Sequence, residues 1–468
     1  MVYLLVNLDN TLLTTDVLLE LICLSFGRSL IQFFKIRSFN PAQIKGKLAT
    51  CADLDITTLP YNSEVIQYIQ DWKAKGGKVA LITATDQLVA ETIAAHLGLF
   101  DEVYGSDGQL NLKGENKARF ILEHFGEQNV IYMGNSVADL PVWAVAAKAI
   151  TVNASPRLRQ KVEQINPNVE HLGSAKRSIQ PYFKEIRPHQ WVKNVLVFVP
   201  MLAGHQFNLP TFWIALVAAI AFSLTASSVY VLNDLLDLQA DRAHPRKRHR
   251  PFAAGDIPLS HGIWLILILL GAGMAIATTI SWSFLGLLLA YYGLTTAYSF
   301  YLKRQIVIDI CLLAGLYTIR IFAGAVATGI SLSVWLLAFS IFFFFCLASV
   351  KRQAELVDHY HRKQLKASGR GYHVDDLPII SMMAIGAGYV SILVLALYIN
   401  SPQVQLLYTK PQVLWGICCV LLYWITRTIM LTHRGLMHYD PIVYAIKDRQ
   451  SQICFLICLV CFILGGVL

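Results

Sequence analysis

From about Asn194 to the C-terminal end, runs of about 20 apolar residues follow one another, and this recurrence limits the fold more than any other feature of the chain. In hydrocarbon every backbone amide must find its partner within its own segment, so such runs are read as helices. About 20 residues suffice to cross a bilayer core. Candidate spans lie near 191–204, 211–232, 261–281, 283–302, 306–328, 331–350, 376–400, 412–433 and 451–468, nine in all, the first being the shortest. Charged residues make up 15% of the chain, against about 25% in ordinary globular domains. The shortage is confined to this half, because residues 1–185 have the composition of a soluble domain. A length of 468 residues suits two domains.

The connecting segments alternate in charge. Those at 233–260, 303–305, 351–375 and 434–450 are rich in Lys and Arg, whereas those near 205–210, 281–282, 329–330 and 401–411 hold only Lys410. Cytoplasmic loops carry the excess of cations. A multi-pass protein of the plasma (inner) membrane is therefore expected, with the N-terminal domain and the four basic loops in the cytoplasm and the C-terminus outside. The net charge of +9 then has a local origin and does not argue for nucleic acid as a partner. The opening MVYLLVNLDNTLL has no basic leader and no small-residue cleavage site, and reads as a buried first strand. The nine cysteines are scattered, mostly within apolar runs, and none suggests zinc or redox chemistry.

Topology explains cations at the ends of spans but not acids. VLNDLLDLQADRAHPRKRHRPFAAG (231–255) places Asn233, Asp234, Asp237 and Asp241 directly before Arg242, Arg246, Lys247, Arg248 and Arg250. If the helix continues through 241, the three aspartates are spaced three and four apart and share a face. Three carboxylates on one face repel one another unless a cation lies among them. Hard oxygen ligands of this kind suit Mg²⁺, which binds substrate phosphates as well. The adjoining cations suit the rest of a phosphate's charge. The stretch thus reads as a seat for a metal pyrophosphate, the alternative being a solvated charged loop. Arg320 falls deep within a span, where a charge faces the bundle interior or a cavity. A structural pair with Asp309, about three helical turns away, is one reading of it. Arg427 raises the same question without an evident partner, while Lys351, Arg352 and Glu355 close the sixth span.

NDLLDLQAD fits the NDxxDxxxD pattern of the UbiA-type intramembrane prenyltransferases, and YSFYLKRQIVID (Tyr298, Lys303, Asp309) resembles their second motif. RPHQWVKNVLV (187–197, with Lys193), DRAHPRKRHRPFAAG (241–255), KRQAEL (351–356), RGY (370–372) and DPIVYAIKDR (440–449) resemble the decaprenyl-phosphate phosphoribosyltransferase subfamily. The resemblance covers about residues 186–468 and implies an all-α domain of nine transmembrane helices. It further implies a Mg²⁺-dependent transfer of phosphoribose from phosphoribosyl pyrophosphate to a polyprenyl phosphate. Asp234, Asp237 and Asp241 would be the metal ligands and, with Asp309, the catalytic acids. Asn233, Lys193, Arg242, Lys247, Arg248, Arg250, Tyr298, Lys303, Arg320, Lys351 and Arg352 would bind substrate. Departure of pyrophosphate leaves an oxocarbenium-like ribose carbon, so the need is charge stabilisation on the leaving group. A lipid phosphate is anionic at neutral pH and needs no strong general base, so His244 and His249 are read as phosphate contacts or loop structure.

The first 172 residues alternate strand-like runs (YLLVNL, VALITA, VIYMGN) with helical ones (SEVIQYIQDWKAK, KARFILEHFG), which argues for a parallel α/β sheet. Ligands of such sheets sit at the carboxyl ends of strands, where NLDNTLL, TATD and GNSVAD occur, with KGENK between the last two. The order resembles the haloacid-dehalogenase-like phosphatases, a Rossmann-like fold, with a small helical cap at about 16–60. Asp9, Thr83, Lys117 and Asp139 match that pattern, whereas Asn7 stands at the nucleophile and Asn135 at a metal-binding acid. An amide is a poor nucleophile at phosphorus, so a silent phosphatase domain is expected. Residues 173–190 read as a linker on the membrane surface, and the transferase domain as 191–468. An aromatic prenyltransferase with a polyprenyl diphosphate donor is the alternative, and a transporter lined by Asp309 and Arg320 a further one. The transporter is disfavoured because the acids gather at one membrane face rather than near the midplane. Association into a homo-oligomer stays open at this point.

Overall fold

The computed structural model describes residues 2–28, 54–107, 110–173, 178–362, 370–437 and 440–467. They gather into two compact units, one of 1–187 with 230–267, the other of 188–229 with 268–468. The first holds a six-stranded sheet of β1 (Tyr3–Val6), β2 (Lys78–Asp86), β3 (Glu102–Ser106), β4 (Val130–Gly134), β5 (Lys148–Val152) and β6 (Val169–Leu172). Its order is β3-β2-β1-β4-β5-β6, and every neighbouring pair is parallel. The expected α/β layering is present.

Both faces of the sheet are buried, as a parallel sheet requires, and the strands' alternation assigns each side chain to one of two cores. Leu4, Val6, Val79, Leu81 and Met133 pack with Val65, Ile69 and Ile93. These three come from α2 (Ser63–Ala74) and α3 (Gln87–Leu97). Leu5, Ala80, Ile82 and Tyr132 pack on the other side with Ile121, Trp143 and Val162, from α4 (Glu115–Phe125), α5 (Leu140–Val145) and α6 (Pro156–Ile165). Of the expected cap, α1 (Val17–Arg28) is helical, and an isolated Leu13–Tyr61 bridge closes the base of the insert. Residues 29–53 lie outside the described residues.

Seven helices among the described residues are long and apolar enough to cross a bilayer: Leu209–Leu236, Leu259–Ile280, Ile308–Thr328, Val334–His361, Val374–Ile399, Pro411–His433 and Arg449–Gly466. This is an integral membrane protein, and the count of nine spans is approximate. Trp282–Phe300 is helical over 19 residues, but Tyr, Thr and Ser dilute its apolar content. The segment near 191–204 is broken: a 3₁₀ stretch, Pro188–Phe198, gives way to a five-residue helix, Val199–Ala203. Pro200 has no amide hydrogen with which to continue the ladder.

Candidate functional site

The acidic stretch is not one uninterrupted helix. The helix α8 (Leu209–Leu236) stops before Asp237, whose backbone (φ −98°, ψ 15°) makes a kink, and α9 (Leu238–Ala243) follows. Main-chain bonds still step across the kink, from Asp237 N to the Asn233 carbonyl at 2.9 Å and from Asp241 N to the Asp237 carbonyl at 2.8 Å. Asp234 and Asp241 are buried, whereas Asn233 and Asp237 are half-buried.

The cations that the aspartates require are supplied by the chain itself. Arg250 bridges them, donating to Asp234 Oδ1 at 2.9 Å and to Asp241 Oδ2. Lys247 Nζ lies 3.9 Å from Asp241 Oδ1. Arg187 forks onto both oxygens of Asp234 and lies over the Tyr230 ring. Its left-handed backbone (φ 55°) ends α7 (Gln180–Ile186). Neither Arg187 nor Glu185 was singled out by sequence reasoning. Glu185 is buried, and its carboxyl meets that of Asp234. Burial, then the neighbouring Asp234, push its carboxyl up to about 9. Burial also raises the Asp241 carboxyl to about 6, with Arg250 opposing and Asp234 adding to the rise. Arg248 is exposed, and Arg242 is committed elsewhere in this unit. No group of three or more His, Cys, Asp or Glu side chains is placed to hold a metal ion among the described residues.

In the second unit, Asp309 opens the helix Ile308–Thr328 and is fully buried. It accepts from Tyr298 Oη at 2.6 Å and from Arg370 at 2.9 Å, and is ion-paired with Arg352 at 2.7 Å. Glu355 pairs with Arg352 and, at 3.3 Å, with Arg370, completing a quartet of two acids and two arginines. The second motif's Tyr and Asp thus come together, while Lys303 lies half-buried on the turn Leu302–Arg304. Lys193 and Lys351 meet on an acid that sequence reasoning passed over: Asp440 Oδ2 lies 2.9 Å from one and 3.2 Å from the other. Its Oδ1 caps the helix Pro441–Lys447 by accepting from Ile442 N at 3.1 Å. Burial alone would raise the Asp440 carboxyl, but Lys351 and Lys193 outweigh it and hold the group well below the usual carboxylate range.

Two expectations about intramembrane charge change. Arg320 is not paired with Asp309: it donates to Asn194 Oδ1 at 2.9 Å and to Tyr291 Oη at 3.1 Å. The rings of Phe222, Tyr291 and Tyr317 surround it at 5.2–5.5 Å, so quadrupoles rather than a carboxylate meet the charge. Arg427 has a partner in Asp448, at 2.7 and 3.1 Å.

At the carboxyl ends of the α/β strands the matched residues do gather. Lys117 Nζ donates to Asn7 Oδ1 at 2.9 Å and to Tyr132 Oη at 3.0 Å, and Tyr132 passes its own hydrogen to Asp139 Oδ1 at 2.7 Å. The other oxygen of Asp139 accepts from Asn135 N, Ser136 N and Ser136 Oγ at 2.9–3.1 Å. Asp9 accepts from Val17 N at 2.8 Å and from Thr85 Oγ1 at 2.9 Å. The buried Thr83 hydroxyl accepts from Thr85 N at 3.0 Å. Both remaining acids are thus held by the protein's own donors.

Apolar helices of spanning length and a six-stranded parallel α/β sheet in one chain define a two-part integral membrane protein. Residues 195–434 match the UbiA prenyltransferase family, and residues 37–143 match the haloacid dehalogenase-like hydrolases. The chain is 35% identical over 460 residues to an uncharacterized protein, y4nM, of Sinorhizobium fredii, covering 95% of this chain and 87% of that one. It is 40% identical over 181 residues to decaprenyl-phosphate phosphoribosyltransferase of Corynebacterium glutamicum, covering 38% of this chain and about half (54%) of that relative. A UbiA homolog from Archaeoglobus fulgidus, solved with DMAPP and Mg²⁺ bound, superposes with a TM-score of 0.46 at 15% identity, over 61% of this chain and 97% of that one. The chain belongs to the UbiA prenyltransferase family, with a haloacid-dehalogenase-like domain at its N-terminal end.

Proposed function

We propose that this chain transfers phosphoribose from phosphoribosyl pyrophosphate to a polyprenyl phosphate. The observation that carries the reading is the pair of buried aspartates, Asp234 and Asp241, held by Arg187 and Arg250 where an apolar helix ends. The named phosphoribosyltransferase relative supports it. The three aspartates are oxygen donors of the kind that suits Mg²⁺. In this arrangement Arg187 and Arg250 hold Asp234 and Asp241 where the ion would sit, and the Glu185 carboxyl, raised to about 9, adds no charge at neutral pH. Asp234, Asp237 and Asp241 would hold the ion, which when bound neutralises charge on the departing pyrophosphate. Arg187 and Arg250 fix the aspartates and can exchange them for phosphate oxygens, since guanidinium matches both anions in a forked geometry. Lys193 and Lys351 share one carboxylate, leaving surplus positive charge for a substrate phosphate. Asp309 with Tyr298, Lys303 and Arg352 forms the second motif's contribution.

The functional division that accompanies this reading is 1–172, a linker 173–190 and 191–468, in the plasma membrane with the first part cytoplasmic. The α/β domain is silent as a phosphatase, because Asn7 offers no carboxylate nucleophile. The test supplies purified chain with Mg²⁺, polyprenyl phosphate and labelled phosphoribosyl pyrophosphate. Labelled lipid that keeps its 5-phosphate is the expected product. Prenylation of an aromatic acceptor from a polyprenyl diphosphate instead would favour the other branch of the family.

A further inference from the structure

Arg242 follows the last aspartate of the acid seat, yet its side chain leaves it. Two of its nitrogens meet the carboxylate of Glu20, on α1, at 3.0 and 2.6 Å, and the two side chains are 3% and 0% exposed. The third nitrogen donates to the Ala253 carbonyl at 3.0 Å, so one guanidinium ties together both ends of the loop 242–253. Glu20 is itself fixed by Thr15 Oγ1 at 2.7 Å. The start of α1 is fixed by Asp9, which accepts from Val17 N and from Thr85 Oγ1. Two glycines allow close approach here. A Cβ on Gly27 would sit 3.1 Å from the Leu236 carbonyl oxygen, and one on Gly255, whose φ is +76°, would collide with Thr14 Oγ1. These contacts join α1 and its flanks to the segment that carries the aspartates, all within one compact unit.

We propose that the α/β domain is a positioning element of the acid seat, acting through Glu20, and that Asp9 serves in this chain as the anchor of α1. The inference rests on the transferase reading of that seat. Glu20 does two things there. It holds the backbone that carries Asp241 and Arg250. It also keeps the Arg242 guanidinium away from Asp241, its neighbour in sequence. Without Glu20 the buried Arg242 guanidinium loses its carboxylate and is free to compete with Arg187 and Arg250 for the aspartates. Glu20 touches neither Asp234 nor Asp241, so it is a positioning residue and not a catalytic one.

The experiment compares the full chain with Glu20→Gln, Glu20→Asp and the reversed pair Glu20→Arg with Arg242→Glu. It measures labelled-lipid formation against donor and acceptor concentration, and amide hydrogen exchange over 238–255. Glu20→Gln is expected to raise the donor KM tenfold or more, to leave the acceptor KM within twofold, and to deprotect 238–255. Glu20→Asp should fall between, and the reversed pair should recover part of the loss. Should Glu20→Gln not fold, Glu20→Gln with Arg242→Gln leaves no unpaired charge and is judged by the same criteria. An unchanged donor KM with unchanged exchange overturns the proposal, as does a loss of thermal stability with both KM values intact. If the wild-type chain labels no lipid, the transferase reading falls. Exchange alone then decides whether Glu20 orders the acid segment: deprotection supports it and unchanged protection overturns it.

Discussion

The first unit contains two polar clusters built on opposite plans. Around Lys117, each surviving acid is satisfied by the protein's own N–H and hydroxyl groups: Asp139 takes four such donors, and Asp9 takes Val17 N and Thr85 Oγ1. Around Asp234 the acids are satisfied by guanidinium groups instead. Half of these donors are backbone N–H groups, which cannot leave a carboxylate without moving the chain that carries them. A guanidinium on a flexible stem can exchange one anion for another. The first arrangement is architecture, and the second is poised for an anionic ligand.

The comparison breaks most sharply on the acids themselves. Asp234→Ala and Asp241→Ala are each expected to lower lipid labelling by about 10²–10³-fold, the scale of removing one strong electrostatic contact from a reacting centre. Asn7→Ala truncates a buried side chain of the other cluster, bonded to Lys117 and not to the aspartates, so labelling should stay far closer to that of the wild type. Parity between the two sets, in protein of equal folded yield, would erase the distinction. Arg250→Ala comes next. It takes the guanidinium from Asp241 and leaves Asp234 to Arg187 alone, and removing one partner of a buried pair costs about 3–5 kcal/mol. Donor KM should rise with it by about a hundredfold at most, by the same principle once part of the cost falls on folding.

Adding the missing charge to the quiet cluster tests its plan from the other side. Asn7→Asp turns the 2.9 Å hydrogen bond from the Lys117 ammonium into a buried ion pair, adding charge–charge attraction to a bond already charge-assisted, so the thermal midpoint should rise. Phosphate release from p-nitrophenyl phosphate should be undetectable in the wild type. Asn7→Asp with Asn135→Asp is the variant in which metal-dependent turnover could return. If it stays silent, the positioning role of the domain is its remaining task.

Acid titration probes the lysine-held carboxylate. The Asp440 carboxyl is depressed in the folded protein. Its contribution to stability is present above the unfolded carboxylate value and is lost only as pH falls through the lower folded value. Lys193→Ala with Lys351→Ala should therefore move acid unfolding to higher pH, and an unmoved midpoint would remove the lysines from the account. The smallest effect is expected at the exposed Arg248. Exposed pairs contribute about 0.2–1 kcal/mol, so Arg248→Ala should weaken donor binding only a few-fold. A hundredfold loss would show that the exposed cations, too, hold the donor.

How far the sequence could be read follows the same division between local and distant partners. The sheet was legible because YLLVNL, VALITA and VIYMGN are apolar runs that a parallel sheet buries on both faces. The spans were legible by length, but Pro200 and the hydroxyl-rich 282–300 helix blur their number. The acids and bases of 233–250 were visible because they are neighbours in the chain. Their partners were not: Arg187 is 47 residues from Asp234, Glu20 is 222 from Arg242, and Asp440 is 247 from Lys193. Spacing rules reach only three or four residues along a helix. The same limit explains why Arg427 had no evident partner before Asp448 was seen, and why Arg320 was matched to an acid when its surroundings are aromatic.

One measurement bears most directly on the central claim. Purified wild-type chain is incubated with Mg²⁺, polyprenyl phosphate and phosphoribosyl pyrophosphate labelled in the ribose, alongside Asp234→Ala. The lipid fraction is then followed for label. The account predicts labelled lipid from the wild type, carrying its 5-phosphate, and about 10²-fold less or none from the variant. No label from the wild type, or equal label from both, would contradict it.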